Sequence, residues 1–428
     1  MKNKFIKSTI ILLFGGLVTK VLGMIIKIVS TRLLGSEGIG TYMLIMPSFS
    51  LLLSISQFSF PTTISKLVSE NKRNNKNLLI SIIPISLLIN FILMFIIFFA
   101  SDYISINLLH NENTRLGLKY LGFALPFISI SSIIRGYFFG KERVFVHVFA
   151  NIFEDIVRLI SIIIGIPITI KYGIQYAILY MILSNIISEL SSIFIFSIFL
   201  PKKIEIKDLS INKTYVKDVF SLSFPTTLGR LIGNIGYFFE PIIITNILGN
   251  ITNEYGILNG YVIPILFLPS FFTTAISQAL IPVVSNSYVN KKYKYMISKL
   301  NLAIFLSLSI GIFCSLLFFF FPDVLLNLLY KNTLGTNYLK FMSIFFVLYY
   351  IEMPVNSALH AMGFVRETLK CTIYSIILKT LCLIVFCNLY GFIGIIYSII
   401  INIVFQTFYN IKVLKTKVIH LRAFLHLT

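Results

Sequence analysis

Long apolar segments separated by short polar connectors dominate the sequence along its whole length. A membrane-spanning helix needs about 20 mainly apolar residues, and twelve segments meet this requirement: 8–34, 41–68, 77–100, 116–139, 144–170, 173–200, 218–248, 257–286, 298–321, 336–362, 367–389 and 391–411. They lack the alternation of polar and apolar residues that marks the strands of a membrane barrel. The pattern therefore predicts an all-α integral membrane protein with about twelve transmembrane helices, numbered span 1 to span 12.

Composition indicates the same class of protein. Of the 428 residues, 57% are hydrophobic and only 12% are charged, against about 25% charged in an average globular protein. The mean hydropathy of +0.90 is too high for a chain that buries its apolar side chains in a soluble core. The four cysteines lie in apolar segments without a C-x-x-C pair, so we expect packing residues rather than disulfides or metal ligands.

The net charge of +20 sets the predicted topology. If the chain begins inside the cell, 23 Lys and Arg lie in or near the cytoplasmic connectors and five lie on the opposite side. Short cytoplasmic loops of membrane proteins carry this excess of basic residues. We therefore place both termini in the cytoplasm of a bacterial cell, predict a multi-pass plasma-membrane protein, and expect no nucleic-acid partner.

The two halves of the chain contain similar fragments. A polar connector, 201–218, separates the first six spans from the last six, and three fragment pairs recur with offsets of 214, 221 and 218 residues: 31–35 with 245–249, Pro61 with Pro282, and 172–174 with 390–392. Six spans in each half make the repeats parallel, as in transporters that alternate access around a site between two bundles. We predict an N-terminal six-helix bundle at 1–205 and a C-terminal one at 206–428.

Span 1 carries two intramembrane lysines on one face. Gly16, Lys20, Gly23 and Lys27 follow a helical spacing that aligns them along one stripe. A charge in the middle of a membrane costs about 2.5–3.5 kcal/mol on insertion scales, so it must be paired or line a wet cavity. Two like charges on one face favour an anionic ligand. Arg135, near the end of span 4, is instead expected to reach the membrane interface.

Span 7, the predicted counterpart of span 1, carries a similar face. Arg230 and Asn234 lie one turn apart, and Glu240 continues a neighbouring stripe of glycines. Gln57 lies on a polar stripe of span 2. We predict that Lys20, Lys27, Arg230, Gln57 and Asn234 bind the substrate.

Span 5 contains a second group of charges. Arg158 follows Glu154 by four residues and Asp155 by three, so an ion pair within this helix is available, and Asn151 lies one turn earlier. Together with Glu240 of span 7 and Glu352 of span 10, these residues are predicted either to couple transport to an ion or to form structural pairs.

Signatures of catalysis are absent from the sequence. It contains no phosphate-binding G-x-x-x-x-G-K-[ST], no H-E-x-x-H zinc motif and no G-x-S-x-G nucleophile elbow. We therefore predict no enzyme activity, no cofactor and no metal site.

Spans 4 and 5 resemble a known signature. The segments R-G-Y-F-F-G and E-D-I-V-R place Arg135, Gly136, Gly140, Glu154 and Arg158 at the positions of an R-G-x-x-x-G … E-x-x-x-R pattern. This pattern is similar to that of polysaccharide-type flippases related to stage V sporulation protein B, in the multidrug/oligosaccharidyl-lipid/polysaccharide exporter superfamily. Segments 31–42 and 60–70 also look like this family.

The chain departs from the family pattern at several positions. Phe139 stands where a glutamine is usual before the second glycine, and Asn151 and Asp155 stand where glutamines are typical. Many relatives carry fourteen helices rather than twelve, and the additional pair is associated with a groove for the lipid tail.

The resemblance implies a V-shaped pair of six-helix bundles that acts on a lipid-linked sugar. The predicted function is a flippase that moves an anionic polyprenyl-pyrophosphate-linked saccharide to the outer leaflet by alternating access. It would act as a monomer among membrane lipids, with H⁺ or Na⁺ as candidate coupling ions. Two alternatives remain: a multidrug efflux antiporter of the same superfamily, and a membrane scaffold for cell-wall or spore assembly that transports nothing.

Overall fold

The computed structural model describes residues 2–70, 74–200 and 211–425, and all regular structure within them is helical. Its α-helices are α1 (Lys2–Gln57), α2 (Phe60–Ser69), α3 (Asn75–Tyr103), α4 (Arg115–Leu121), α5 (Leu125–Gly140), α6 (Val144–Thr169), α7 (Ile174–Phe199), α8 (Lys213–Leu248), α9 (Thr252–Gly256), α10 (Ile263–Leu266), α11 (Ser270–Val289), α12 (Tyr293–Phe320), α13 (Pro322–Tyr330), α14 (Thr336–Ala361), α15 (Val365–Tyr390) and α16 (Ile393–Leu425).

Several predicted spans consist of more than one helix, or share one. Spans 1 and 2 lie in the continuous segment α1, which is interrupted at Gly35, where φ is 68° and ψ is −176°. Span 2 ends in α2, after a second turn at Phe58 and Ser59. Span 8 is bent by 50° between Thr252–Leu266 and Ser270–Val289.

In the described part of the chain, nine helical segments are long and apolar enough to cross a membrane, or ten if the bent pair forms one crossing. One of the nine, Phe14–Ser69, contains the break at Gly35 and therefore holds two predicted spans. The all-α membrane fold is confirmed. The count of twelve crossings and the cytoplasmic placement of both termini stay predictions.

Many large apolar side chains point away from the protein, as a lipid environment requires. Phe99 is 77% exposed, Leu328 71% and Phe14 67%. Lipid chains are as apolar as leucine, so helix association depends on close packing and hydrogen bonds rather than on the hydrophobic effect. Buried serines, threonines and asparagines between the helices supply such bonds, for example Ser131 with Ser192 at 3.1 Å.

The chain divides into two compact units, Met1–Asn246 and Ile247–Thr428. The first holds α1 to α7 and nearly all of α8, whereas the second holds the remaining helices. The predicted boundary between residues 205 and 206 lies outside the described residues, so the division into bundles 1–205 and 206–428 stays a prediction.

The two units repeat the same packing. In the first unit α6 packs on α7 and α2 packs on α5, and in the second α15 packs on α16 and α11 packs on α14. Phe60, Phe138 and Phe196 belong to the apolar core of the first unit, and Val284 and Met296 to that of the second.

Left-handed backbone positions also recur. Four pairs share positive φ at offsets of 214 to 221 residues: Gly35 with Gly249, His110 with Lys331, Glu142 with Gly363, and Gly173 with Gly391. Non-glycine residues seldom adopt this conformation, so chance agreement at four turns is a poor explanation. A duplicated chain that kept its turns accounts for the pattern.

Candidate functional site

Span 1 presents an open cationic face. On α1, Lys20 is exposed and Lys27 is half-buried. A Cβ built on Gly16 or Gly23 would meet no atom of the described chain within 4 Å, so no described helix packs closely on these two glycines. Close packing occurs on another face, where a Cβ on Gly15 would lie 2.1 Å from a valine of α6.

The equivalent face of α8 is open in the same way. A Cβ on Gly229 or Gly233 would also meet no described atom within 4 Å. Arg230 is exposed between these glycines, while Asn234 and Glu240 are half-buried. The small residues on both helices therefore leave space for a ligand or for lipid rather than forming close helix contacts.

A series of polar contacts joins α8 to the end of α1 and to α2. We call it the polar ladder, and its four pairs are Ser54 with Asn234, Gln57 with Arg230 (3.3 Å), Ser59 with Thr227 (3.2 Å), and Thr63 with Ser223 (2.8 Å). Residue numbers fall on one side as they rise on the other, so the two chain segments run antiparallel. The ladder brings together three predicted substrate residues: Gln57, Arg230 and Asn234.

A charged cluster lies among α5, α6 and α7. Nη2 of Arg135 donates to Oε2 of Glu154 and to Oε2 of Glu189, the second at 3.1 Å. The three side chains are only 22%, 13% and 10% exposed. A buried guanidinium between two carboxylates satisfies the requirement that intramembrane charges be paired.

This arrangement corrects two expectations. Arg135 is not a free side chain extending from the end of its span, because it turns toward α6 and α7 and pairs with two buried acids. The local pair of Glu154 with Arg158 does not form, because Glu154 already binds Arg135 across the helix interface. The Arg158 guanidinium instead interacts with the Tyr42 hydroxyl on α1.

The glycines of the R-G-x-x-x-G segment explain why Arg135 points as it does. A Cβ on Gly136 would lie 2.7 Å from the Pro61 carbonyl oxygen, and one on Gly140 would lie 2.6 Å from the Ser65 carbonyl oxygen. The glycine face of α5 therefore packs directly on the α2 backbone. Arg135, next to Gly136 in sequence, projects from another face of α5 toward the acids of α6 and α7.

The remaining members of the charged group lie close to the cluster. Asn151 contacts His147 of the same helix, with 3.4 Å between Nδ2 and Nε2. Asp155 is half-buried and within electrostatic range of Arg158 and Arg135. Three acids thus face two arginines, which leaves one acid in excess.

In the second unit, Glu352 of α14 is buried, with 7% of its surface exposed. One of its carboxylate oxygens accepts a hydrogen bond of 3.0 Å from Nδ2 of Asn410 on α16. Its position inside an apolar span identified Glu352 as a candidate, but the sequence gave no indication of Asn410, which is 58 residues away.

The chain matches two family models. The model described as "Polysaccharide biosynthesis protein" matches residues 5–288, and the MatE model matches residues 259–385.

Curated relatives occur in Bacillus subtilis (strain 168). Stage V sporulation protein B is 31% identical over 398 residues, covering 89% of this chain and 77% of the relative. Lipid II flippase MurJ is 23% identical over 155 residues, covering 33% of this chain and 28% of the relative.

Among solved structures, the chain resembles an inward-facing multidrug resistance MATE transporter of the MOP superfamily. The TM-score is 0.74 at 15% identity, over 95% of this chain and 96% of the other. This likeness establishes that the chain has the helical fold of that membrane transporter.

Proposed function

The chain belongs to the polysaccharide biosynthesis protein family of the MOP transporter superfamily, and we propose that it is a flippase for a polyprenyl-pyrophosphate-linked saccharide. The membrane location and the transporter class follow from the family and the fold. The proposal concerns the substrate, which moves from the cytoplasmic to the outer leaflet by alternating access.

The observation that carries the proposal is the open cationic face of α1. Lys20 and Lys27 lie beside two glycines on which no residue of the described chain packs closely. Charge-assisted hydrogen bonds from such lysines favour phosphate oxygens. Arg230, Gln57 and Asn234 add hydrogen-bonding groups of the polar ladder, and the apolar tail of the substrate can remain in lipid.

Membrane potential supplies a driving force for this substrate. Two negative charges that leave a negative-inside cell across about 100 mV gain roughly 4.6 kcal/mol. The charged residues of α6 are our candidates for ion coupling, because the acids around them outnumber the arginines by one. They are Glu154, Asp155 and Arg158, with Asn151 one turn earlier, and Glu240 is a further candidate on α8.

A fluorescent polyprenyl-pyrophosphate saccharide in proteoliposomes tests the proposal. We expect flipping that increases with an imposed potential and is lost in Lys20→Ala, because the cationic face then loses an anion-binding group. Lys171→Ala, which removes an exposed lysine outside the open face, is the matched control and should flip normally. Normal flipping by folded Lys20→Ala would contradict the assignment of the face.

Drug efflux is the second candidate, favoured by the MatE match at residues 259–385 and by the likeness to a multidrug transporter. A site for cationic drugs needs acidic side chains, whereas the open face of α1 offers lysines. Extrusion of a cationic dye against a proton or sodium gradient, without any flipping of the saccharide, would favour efflux.

A further inference from the structure

The turn between α11 and α12 concentrates lysines around a surface cavity. Only three residues, 290–292, connect the two helices. Residues 291–295, which we call the lysine turn, line a cavity of about 480 Å³, and three of the five are lysines. The sequence contains no acid between Glu254 and Asp323, so neither helix that flanks the turn contributes negative charge.

The three lysines of the turn have no partner within the described part of the chain. The side chains of Lys291, Lys292 and Lys294 are exposed and take part in no ion pair or ring contact of the described residues. Another lysine of the same unit, Lys370, pairs with Glu367 at 3.1 Å. Like charges held close together repel one another, so the lysine turn favours an anionic ligand.

The backbone holds Lys291 in a conformation that glycine adopts more easily. Its φ of 55° lies in the left-handed region, and the Lys292 N–H donates to the Ser287 carbonyl oxygen at 2.8 Å to close the turn. Many helices end in this way, but usually with glycine at the left-handed position. A lysine there costs free energy, and costs of this kind are typical of functional positions.

Apolar surface lies next to the lysines. Val289, at the end of α11, is 75% exposed, and Tyr295, in the first turn of α12, is 52% exposed. Tyr288 and Tyr293 instead pack on the apolar core of the second unit and hold the turn in place. Because so short a turn keeps the lysines beside two predicted spans, they lie at the level of the lipid headgroups.

We propose that the lysine turn binds the phosphate headgroup of an acidic phospholipid, whose glycerol and upper acyl chains lie beside Val289 and Tyr295. Lysine ammonium groups bind phosphate oxygens through charge-assisted hydrogen bonds. Basic segments next to a spanning helix attract acidic lipids. A soluble anion would use the lysines but not the exposed apolar side chains. Binding itself does not depend on the flippase assignment, whereas an effect of the bound lipid on flipping rests on it.

Native mass spectrometry of the purified protein in a neutral detergent tests the site without a transport assay. Phosphatidylglycerol and phosphatidylcholine with the same acyl chains are titrated separately, and the bound lipid is counted at each concentration. Each lysine near an acidic lipid contributes about fivefold in affinity, so phosphatidylglycerol should bind about tenfold more tightly or better. The triple variant Lys291→Gln, Lys292→Gln and Lys294→Gln should lose this preference, whereas arginine at the same three positions should keep it.

Lys213→Gln with Lys412→Gln and Lys415→Gln is the matched control. It removes the same charge from three exposed lysines outside the turn, so the preference for phosphatidylglycerol should remain. Lys291→Gly separates binding from stability. Its Tm should stay equal or rise, because glycine fits the positive φ, while its affinity for phosphatidylglycerol should fall about fivefold.

Three outcomes would overturn the proposal. An equal loss of preference in the control variant would assign it to overall charge rather than to the turn. A full preference in the folded triple glutamine variant would place the lipid elsewhere. Glycerol 3-phosphate that competes as well as phosphatidylglycerol would identify a site for a soluble anion. If the lipid binds as expected but no saccharide is flipped, only the flippase assignment fails.

Discussion

At the scale of single residues, the charged cluster shows that the ion-pair partner of a side chain can come from a different helix. Glu154 has an arginine four residues later, yet it binds Arg135 from α5. Helical spacing indicates which pairs are available within one helix. It cannot show that a neighbouring helix supplies a better one.

Arg135→Ala should strongly destabilise the protein, because it leaves two buried carboxylates without their cation. Removing one partner of a buried pair costs about 3–5 kcal/mol. Thermal unfolding in detergent measures the effect, and Arg135→Gln with Glu154→Gln should recover part of the loss.

The matched control is Arg115→Ala. Its ion pair with Asp102 is 2.7 Å long, but both side chains are about half exposed, 50% and 48%. Ion pairs between exposed side chains contribute little to stability, because water screens them. Equal losses of stability in the two arginine variants would show that the cluster has no special structural role.

At the scale of helices, the sequence predicted the positions of the spans better than the contacts between them. The apolar segments and the glycines at turns were sufficient to place spans 1 and 2 on either side of Gly35. The glycines of α5 and α8 look alike in sequence, but Gly136 and Gly140 of α5 pack on a neighbouring backbone, whereas a Cβ on Gly229 or Gly233 of α8 meets no described atom. Which glycine face is covered depends on tertiary packing, which no local pattern specifies.

Gly140→Ala should destabilise the contact between α5 and α2. The added methyl group would lie 2.6 Å from the Ser65 carbonyl oxygen and 2.8 Å from Val68 Cβ, and overpacking of this kind costs about 1–3 kcal/mol. In Gly229→Ala the methyl group meets no atom of the described residues within 4 Å, so Tm should stay equal or rise slightly, because alanine has the higher helix propensity. A lower Tm in Gly229→Ala than in Gly140→Ala would contradict this description of the two faces.

At the scale of the whole molecule, the polar ladder connects the first two predicted spans with the span that opens the second repeat. Its direct bonds join side chains about 160 to 180 residues apart. Transport by rocking of two bundles requires helices of the two repeats to separate on one side of the membrane. The ladder is therefore expected to break during each cycle.

A disulfide across the ladder should arrest transport. Thr63→Cys with Ser223→Cys replaces two hydroxyls 2.8 Å apart, in a background from which the native cysteines are removed. We expect flipping to stop on oxidation and to return with a reductant.

The control is Ser131→Cys with Ser192→Cys, which links α5 and α7, two helices of the same predicted repeat, across 3.1 Å. This pair stays together in a rigid bundle, so its oxidation should leave flipping unchanged. Flipping at the normal rate through an oxidised ladder would show that these helices move as one body.

The sharing of charges among α5, α6 and α7 also constrains how the protein is made. α6 carries Glu154, Asp155 and Arg158 within five residues, and each charge near the centre of a helix costs about 2.5–3.5 kcal/mol at the insertion machinery. On its own, α6 is not apolar enough to move readily from the insertion machinery into the lipid. Its first partner, Arg135, is synthesised just before it, whereas Glu189 emerges later. We therefore expect α6 to be retained beside α5 at the insertion machinery and to enter the bilayer together with it.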